Sequence, residues 1–162
     1  MMKHILIAIA LMGLALPAAA QNAGHIAKVR NGQSCPGCNL FQADLAYMDA
    51  DHVDVSGARL RQSDMQLATF DNWNVAGANL SVANLFGVRF NRSDFTNVNF
   101  ENATLVGGYF GSSTFSGANF AGANLSGADL HLSRGLTQGQ LNHACGDEAT
   151  RLPSGLTIPR CG

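Results

Sequence analysis

The side chains best suited to chemistry in this chain are four cysteines, and their spacing sorts them into two kinds of pair. In Cys35-Pro36-Gly37-Cys38 the thiols flank a Pro-Gly, a suitable central pair for a type II turn. Such a turn holds its outer Cα atoms within about 7 Å, close enough for a disulfide. Two chemistries fit that spacing. One is a structural staple, the other a redox-active pair of the CxxC kind. The redox reading expects a βαβ setting, which the flanking sequence lacks. Haem attachment needs His directly after the second Cys, where Asn39 stands. Cys145 and Cys161 enclose fifteen residues. A bridge closing such a loop stabilises by roughly 3 kcal/mol in the chain-entropy model.

Other candidate groups are sparse. Asp49, Asp51, His52 and Asp71 fall on or near one outward face, where a cation could sit; the competing reading is a solvated acidic edge answered by Arg89 and Arg92. His131 and His143 have no neighbouring carboxylate pattern that suggests a general base, and no nucleophile motif is present. No catalytic residue, metal ligand or cofactor is therefore expected. Charged residues make up 13% of the chain and the formal net charge is −1. That is neither the basic balance of a nucleic-acid binder nor the acidic excess of a disordered tail.

What must position these groups is a repeat. The 95 residues from Cys38 to Leu132 divide into nineteen consecutive five-residue units without an insertion. Each unit has an apolar centre: Leu40, Leu45 and Ala50 early, Phe90, Phe95 and Phe100 midway, Phe120, Leu125 and Leu130 late. Two residues earlier stands a mostly small residue such as Ala43, Ala58, Ala78 or Ala103, with Asn or Asp usually between. A period of five matches neither helix nor strand. Within a unit, however, the two apolar positions are two apart and point the same way in an extended chain. Each unit thus reads as a short inward-facing strand plus a turn, and constant turning makes a coil. At a stride of twenty the stacked columns are coherent: Leu45, Met65, Leu85, Leu105 and Leu125 in one, Phe70, Phe90 and Phe110 in another. The sequence predicts four units per coil, about five coils, and at roughly 4.8 Å per coil a rod roughly 23 Å long.

Units such as Ala78-Asn79-Leu80, Ala118-Asn119-Phe120, Ala123-Asn124-Leu125 and Ala128-Asp129-Leu130 resemble the pentapeptide-repeat family. The resemblance covers 95 of the 162 residues and implies an all-β, right-handed quadrilateral β-helix. It implies little about activity. Some members protect a topoisomerase by mimicking DNA as an acidic rod, and a charge this small cannot build that field.

Outside the repeats, residues 1–20 read as a secretory signal: Lys3, an apolar run from Ile5 to Leu16, and Ala18-Ala19-Ala20 before Gln21. The run is short of the ~20 residues needed to span a bilayer, so no membrane span is expected after cleavage. Loss of Lys3 leaves a formal charge of about −2. Residues 21–37 form a lead-in, with Ala23 to Val29 a brief helix or strand covering the first coil, since bare end coils expose backbone edge and core. Residues 133–162 form a cap in which Thr137 and Gln140 fit a capping box opening a short helix to about Ala144. The run from Leu136 through Cys145 to Cys161 resembles the C-terminal cap of some exported family members. With a cap at each end, four cysteines cannot converge on one zinc, and local pairing, Cys35–Cys38 and Cys145–Cys161, follows.

Two features bear on the core and the surface. Trp73 accompanies only Val75 in its unit, and large and small residues trade within a core of constant density, so Trp73 reads as core filler. Tyr47, Leu67, Phe86 and Val106, with Val82 at the adjoining corner, occupy outward positions on successive coils. An apolar stripe on a polar rod is a docking surface for an unknown protein partner or for self-association. The sequence therefore predicts a non-catalytic, periplasmic or secreted scaffold or protein-binding module that binds no nucleic acid. An envelope thiol-redox protein using Cys35 and Cys38 is the alternative.

Overall fold

The computed structural model describes residues 20–162; all of the leader reading except Ala20 lies outside them. Every backbone bridge within the repeats joins residues twenty apart in parallel, from Asn39 with Arg59 to Thr114 with Arg134. The result is a right-handed, four-sided β-helix with one unit per side. On one side the bridges lengthen into strands β1 (Asp49–Asp51), β2 (Thr69–Asp71), β3 (Arg89–Asn91) and β4 (Tyr109–Gly111), which pair in that order.

The five-residue unit builds this shape by a simple division of labour. The centre and the small residue two before it point inward and are almost all buried. The Asn or Asp between them points outward, and its side-chain oxygen takes the N–H two residues on, as Asp54 does from Ser56 at 2.8 Å and Asn99 from Glu101 at 3.0 Å. These Asx contacts mimic a backbone turn. Most corners also close with a bond between backbone groups three apart, such as Val88 N–H to Leu85 C=O at 3.2 Å. The third turn residue takes positive φ, as at Gly87 (60°), where glycine has no Cβ to clash.

Inside, several phenylalanines one coil apart stack nearly parallel, among them Phe95 on Phe115 with centroids 4.9 Å apart and Phe100 on Phe120 at 5.2 Å, while Phe70 and Phe90 are tilted. Corners following β1 to β3 are open, with no such turn bond. Buried hydroxyls serve there instead: Ser93 Oγ accepts from Trp73 N–H, and Ser113 Oγ from Ser93 N–H, both at 3.1 Å. Buried backbone donors need a partner, which explains serine in this column of an otherwise apolar core.

Both ends are covered. Helix α1 (Ala23–Arg30), capped by the Asn22 side chain, seals the first coil by burying Val29. His25 Nδ1 accepts the otherwise open N–H of Asn39 at 3.0 Å. Coil pairing starts at Cys35, whose N–H donates to Asp54 C=O at 2.7 Å, so the turn between the first two cysteines belongs to the first coil. At the other end, Thr137 and Gln140 form the reciprocal capping box of α2 (Gln138–Leu141). This helix stops at Leu141 rather than near Ala144, because the next residues rejoin the solenoid: Gly122 N–H donates to His143 C=O, and Asn124 pairs with Cys145. Asp129 then pairs with Arg151, adding a partial further coil that five-residue counting does not reveal.

Candidate interaction surface

Tyr47, Leu67, Val82 and Phe86 are the exposed members of the apolar stripe, with 69%, 49%, 45% and 47% of their surface open; Val106 is half-buried. Tyr47 and Leu67 are third turn residues with φ of 59° and 53°, a backbone state that throws the side chain outward at the corner. Phe86 is the second residue of its turn, and its carbonyl accepts the N–H of Leu67 at 2.9 Å, which fixes the two as neighbours on adjacent coils. Leu67 leans over Gly87: a Cβ built there would lie 2.6 Å from Leu67 Cδ2. The glycine therefore makes the seat in which Leu67 rests beside Phe86. Val82 sits at the next corner, beyond the polar side chain of Asn84. Leu132 is also exposed, at 51%, but on a corner stacked with His52, Asn72 and Arg92, away from the stripe.

The cysteines lie at opposite ends in two local pairs, Cys35–Cys38 with Cα atoms 5.5 Å apart and Cys145–Cys161 at 4.8 Å. Their surroundings differ. Cys35 and Cys38 are 4% and 8% exposed, whereas both C-terminal partners are half-buried and Cys161 lines an open cleft with Ser126, Gly146, Asp147, Glu148, Ala149 and Arg160.

The acidic face is a chain of side-chain contacts. Asp51 accepts from Asn72 at 2.8 Å and faces His52 at 2.9 Å, while Arg92 donates to Asn72 at 3.0 Å. The Asn72 hydrogen bond, aided by His52, holds the Asp51 carboxyl below its ordinary value. One carboxylate oxygen of Asp71 is buried without a partner, Asp49 is exposed, and Arg89 lies 5.0 Å over the Tyr109 ring. Among the described residues no group of three His, Cys, Asp or Glu side chains is arranged to hold a metal ion.

His131 does have a carboxylate partner, contrary to the sequence reading. Its Nδ1 lies 2.5 Å from Asp129 Oδ1, and Asp129 also holds Arg151 at 2.9 Å. Spacing two apart across a turn conceals such a pair, because the Asx turn folds the two side chains together. The contacts tie the last coil to the cap; burial works to raise the Asp129 carboxyl, but His131 and Arg151 outweigh it and hold it low.

A parallel β-helix with four sides and a filled interior is a repeat solenoid. The pentapeptide-repeat family model matches residues 38–72, 67–102 and 93–131 in eight copies, and the chain belongs to this family. Among solved structures, QnrB1, a plasmid-mediated fluoroquinolone resistance protein, is 24% identical, with 68% of this chain and 58% of that chain covered and a TM-score of 0.51. HetL, a pentapeptide repeat protein involved in heterocyst differentiation regulation from the cyanobacterium Nostoc sp. strain PCC 7120, is 20% identical over 79% of this chain and 60% of its own, with a TM-score of 0.49. A pentapeptide repeat protein of the Arabidopsis thaliana thylakoid lumen is 30% identical over 60% and 68%, with a TM-score of 0.44. The chain thus spans 60% or less of the length of HetL and QnrB1. No curated protein sequence matches it.

Proposed function

We propose that the protein is a non-catalytic, exported pentapeptide-repeat scaffold of the cell envelope that docks a protein partner, or a second copy of itself, through the corner stripe of Tyr47, Leu67, Val82 and Phe86. The observation that carries this reading is the contact of Leu67 and Phe86 across adjacent coils, both about half exposed on a rod whose other outward positions are mostly polar. Rigidity suits such a role, since little ordering entropy is lost when a prebuilt edge docks. Export rests on the leader in residues 1–20 and fits two disulfides, which persist in oxidising compartments.

The test is Leu67→Asp with Phe86→Asp. Asp tolerates the positive φ at position 67, so the circular dichroism spectrum should remain that of the parent. Loss of crosslinked partners from intact cells, or of a self-associated species in sedimentation, is the expected result. Unchanged partners and sedimentation would reject the stripe as the docking face.

The thiol-redox alternative for Cys35 and Cys38 is disfavoured by their burial and by the coil pairing that holds both residues, Cys35 N–H to Asp54 and Cys38 C=O from Arg59 at 2.9 Å. A Cys38→Ser variant that trapped a mixed disulfide in cells would revive it. DNA mimicry finds no support in a net charge of −1.

A further inference from the structure

The two disulfides differ in exposure, and the difference has a chemical consequence. Attack on a disulfide requires a thiolate to reach one sulfur along the S–S axis. Cys35 and Cys38 are buried within the first coil, 4% and 8% exposed. Cys161 opens onto a cleft of about 560 Å³. Ser126 Oγ donates to its sulfur at 3.5 Å, and Asn124 Oδ1 lies 3.4 Å from the same atom.

Cys161 also lies on a short strap. Residues 159–162 are held to the cap by two backbone bonds, Gly146 N–H to Pro159 C=O at 2.8 Å and Cys161 N–H to Gly146 C=O at 2.9 Å. An exposed ion pair between Arg160 and Glu148 adds little, as exposed pairs do. The disulfide is the strongest tie. Under the strap lies Gly146, next to Cys145, which pairs with Asn124 of the last coil. The strap therefore covers the open backbone edge of the terminal rung.

We infer that Cys145–Cys161 is a redox latch: a dithiol reductant opens it selectively and frees residues 159–162 from Gly146, while Cys35–Cys38 stays closed. In the first step the reductant's thiolate attacks Cys161 Sγ from the cleft. A mixed disulfide forms, the Cys145–Cys161 bond breaks, and Cys145 leaves as a thiolate that takes a proton from water. The reductant's second thiol then attacks its own mixed-disulfide sulfur. Cys161 leaves as a thiolate next to the Ser126 hydroxyl, and its protonated thiol has Asn124 Oδ1 as acceptor. The protein gains two electrons and the dithiol becomes a disulfide. The latch is independent of the corner stripe, which lies on the side of the rod.

The experiment treats the oxidised full-length mature protein with dithiothreitol over time, quenches with iodoacetamide, and follows each cysteine by peptide mass, with amide exchange measured in parallel. Cys145 and Cys161 are expected to alkylate at least tenfold faster than Cys35 and Cys38. Gly146 and Cys161 should lose amide protection while the repeat amides keep theirs. Equal rates, or earlier reaction of Cys35 and Cys38, would overturn the selectivity. Retained protection at Gly146 and Cys161 after selective reduction would overturn the release. A C145A/C161A variant checks the second point without reductant: its strap amides should exchange like those of the reduced protein, and parent-like protection there counts against the latch.

Discussion

The indole N–H of Trp73 donates to the backbone carbonyl of Ala50, 3.0 Å away in the coil below. Ala50 is the only alanine at a unit centre, and Trp73 spreads toward the room it leaves, 4.1 Å from Phe70 and 6.2 Å from Phe90 between ring centroids. That carbonyl lies in the β1–β2 ladder at an open corner, where no turn bond from Val53 forms, and the indole supplies a donor to it from the next coil.

Trp73→Ala should therefore destabilise by roughly 3–5 kcal/mol, the usual cost of emptying an aromatic core site. Trp73→Phe keeps a ring but loses the indole donor to Ala50, at a cost of about 0.5–1.5 kcal/mol, the usual net worth of one hydrogen bond. Denaturant melts measure both. The parent's fluorescence should be blue-shifted and resist iodide; emission like that of free tryptophan would place the ring in water.

Two buried serines should respond in opposite directions. Ser93 Oγ accepts from Trp73 N–H and donates to Asn91 C=O, so Ser93→Ala strands a buried donor and should cost about 1–3 kcal/mol. Ser63 Oγ is buried with no partner, and its stacked neighbours are Ala43 and Ala83. Ser63→Ala should be neutral or stabilise by about 1 kcal/mol, because removing an unpaired hydroxyl removes its desolvation cost. Equal losses in chemical melts would contradict this account of the two serines.

The coil itself was legible from residue sizes at a stride of twenty, because stacked side chains must match to pack. The stripe was legible in part: corner position exposes Leu67 and Phe86, while Val106, also on the second turn position, is half-buried. What five-residue counting could not show is bonding between coils at the irregular places. The Trp73–Ala50 bond links residues 23 apart, and Asn124 and Asp129 meet Cys145 and Arg151 through pairings longer than twenty. Trp73 is buried with Val75 in its own unit, and Ala50, a coil away, is a second small residue beside it that the unit alone does not reveal.

Val82 stores backbone strain. Its φ is 58°, a region that is an outlier for a β-branched residue and costs roughly 1–2 kcal/mol for residues with a Cβ. Asn adopts this conformation readily, as Asn97 and Asn102 do at equivalent turn positions. Val82→Asn should raise stability by about 1 kcal/mol in thermal or chemical melts. If docking uses this corner, the same variant should bind its partner less well, so stability and binding would move in opposite directions. A loss of stability would mean that Val82 makes a contact outweighing its strain.

Acid should loosen the C-terminal cap before the core. Asp147 Oδ1 accepts from Gly127 N–H at 2.9 Å and Ala149 N–H at 3.0 Å, and Thr150 adds a third bond at 3.2 Å. The Gly127 bond is the largest of the influences that hold its carboxyl below the ordinary 3.8, against a smaller opposing effect of desolvation. Asp129, bound to His131 and Arg151, is held low as well. A carboxyl depressed in the fold favours the folded state while ionised. That stabilisation is complete above the ordinary value of 3.8 and disappears as pH falls below it through the folded value. Amide exchange compared at pH near 5 and near 2.5, corrected for intrinsic rates, should therefore show protection lost at Gly127, Ala149 and Arg151. Phe95 and Phe100, deep in the repeats, should keep theirs. Asp147→Asn should show part of this loss already at pH 5, with a smaller further change on acidification. A cap in the parent that keeps full protection at pH 2.5 would mean that these carboxylates do not hold it down.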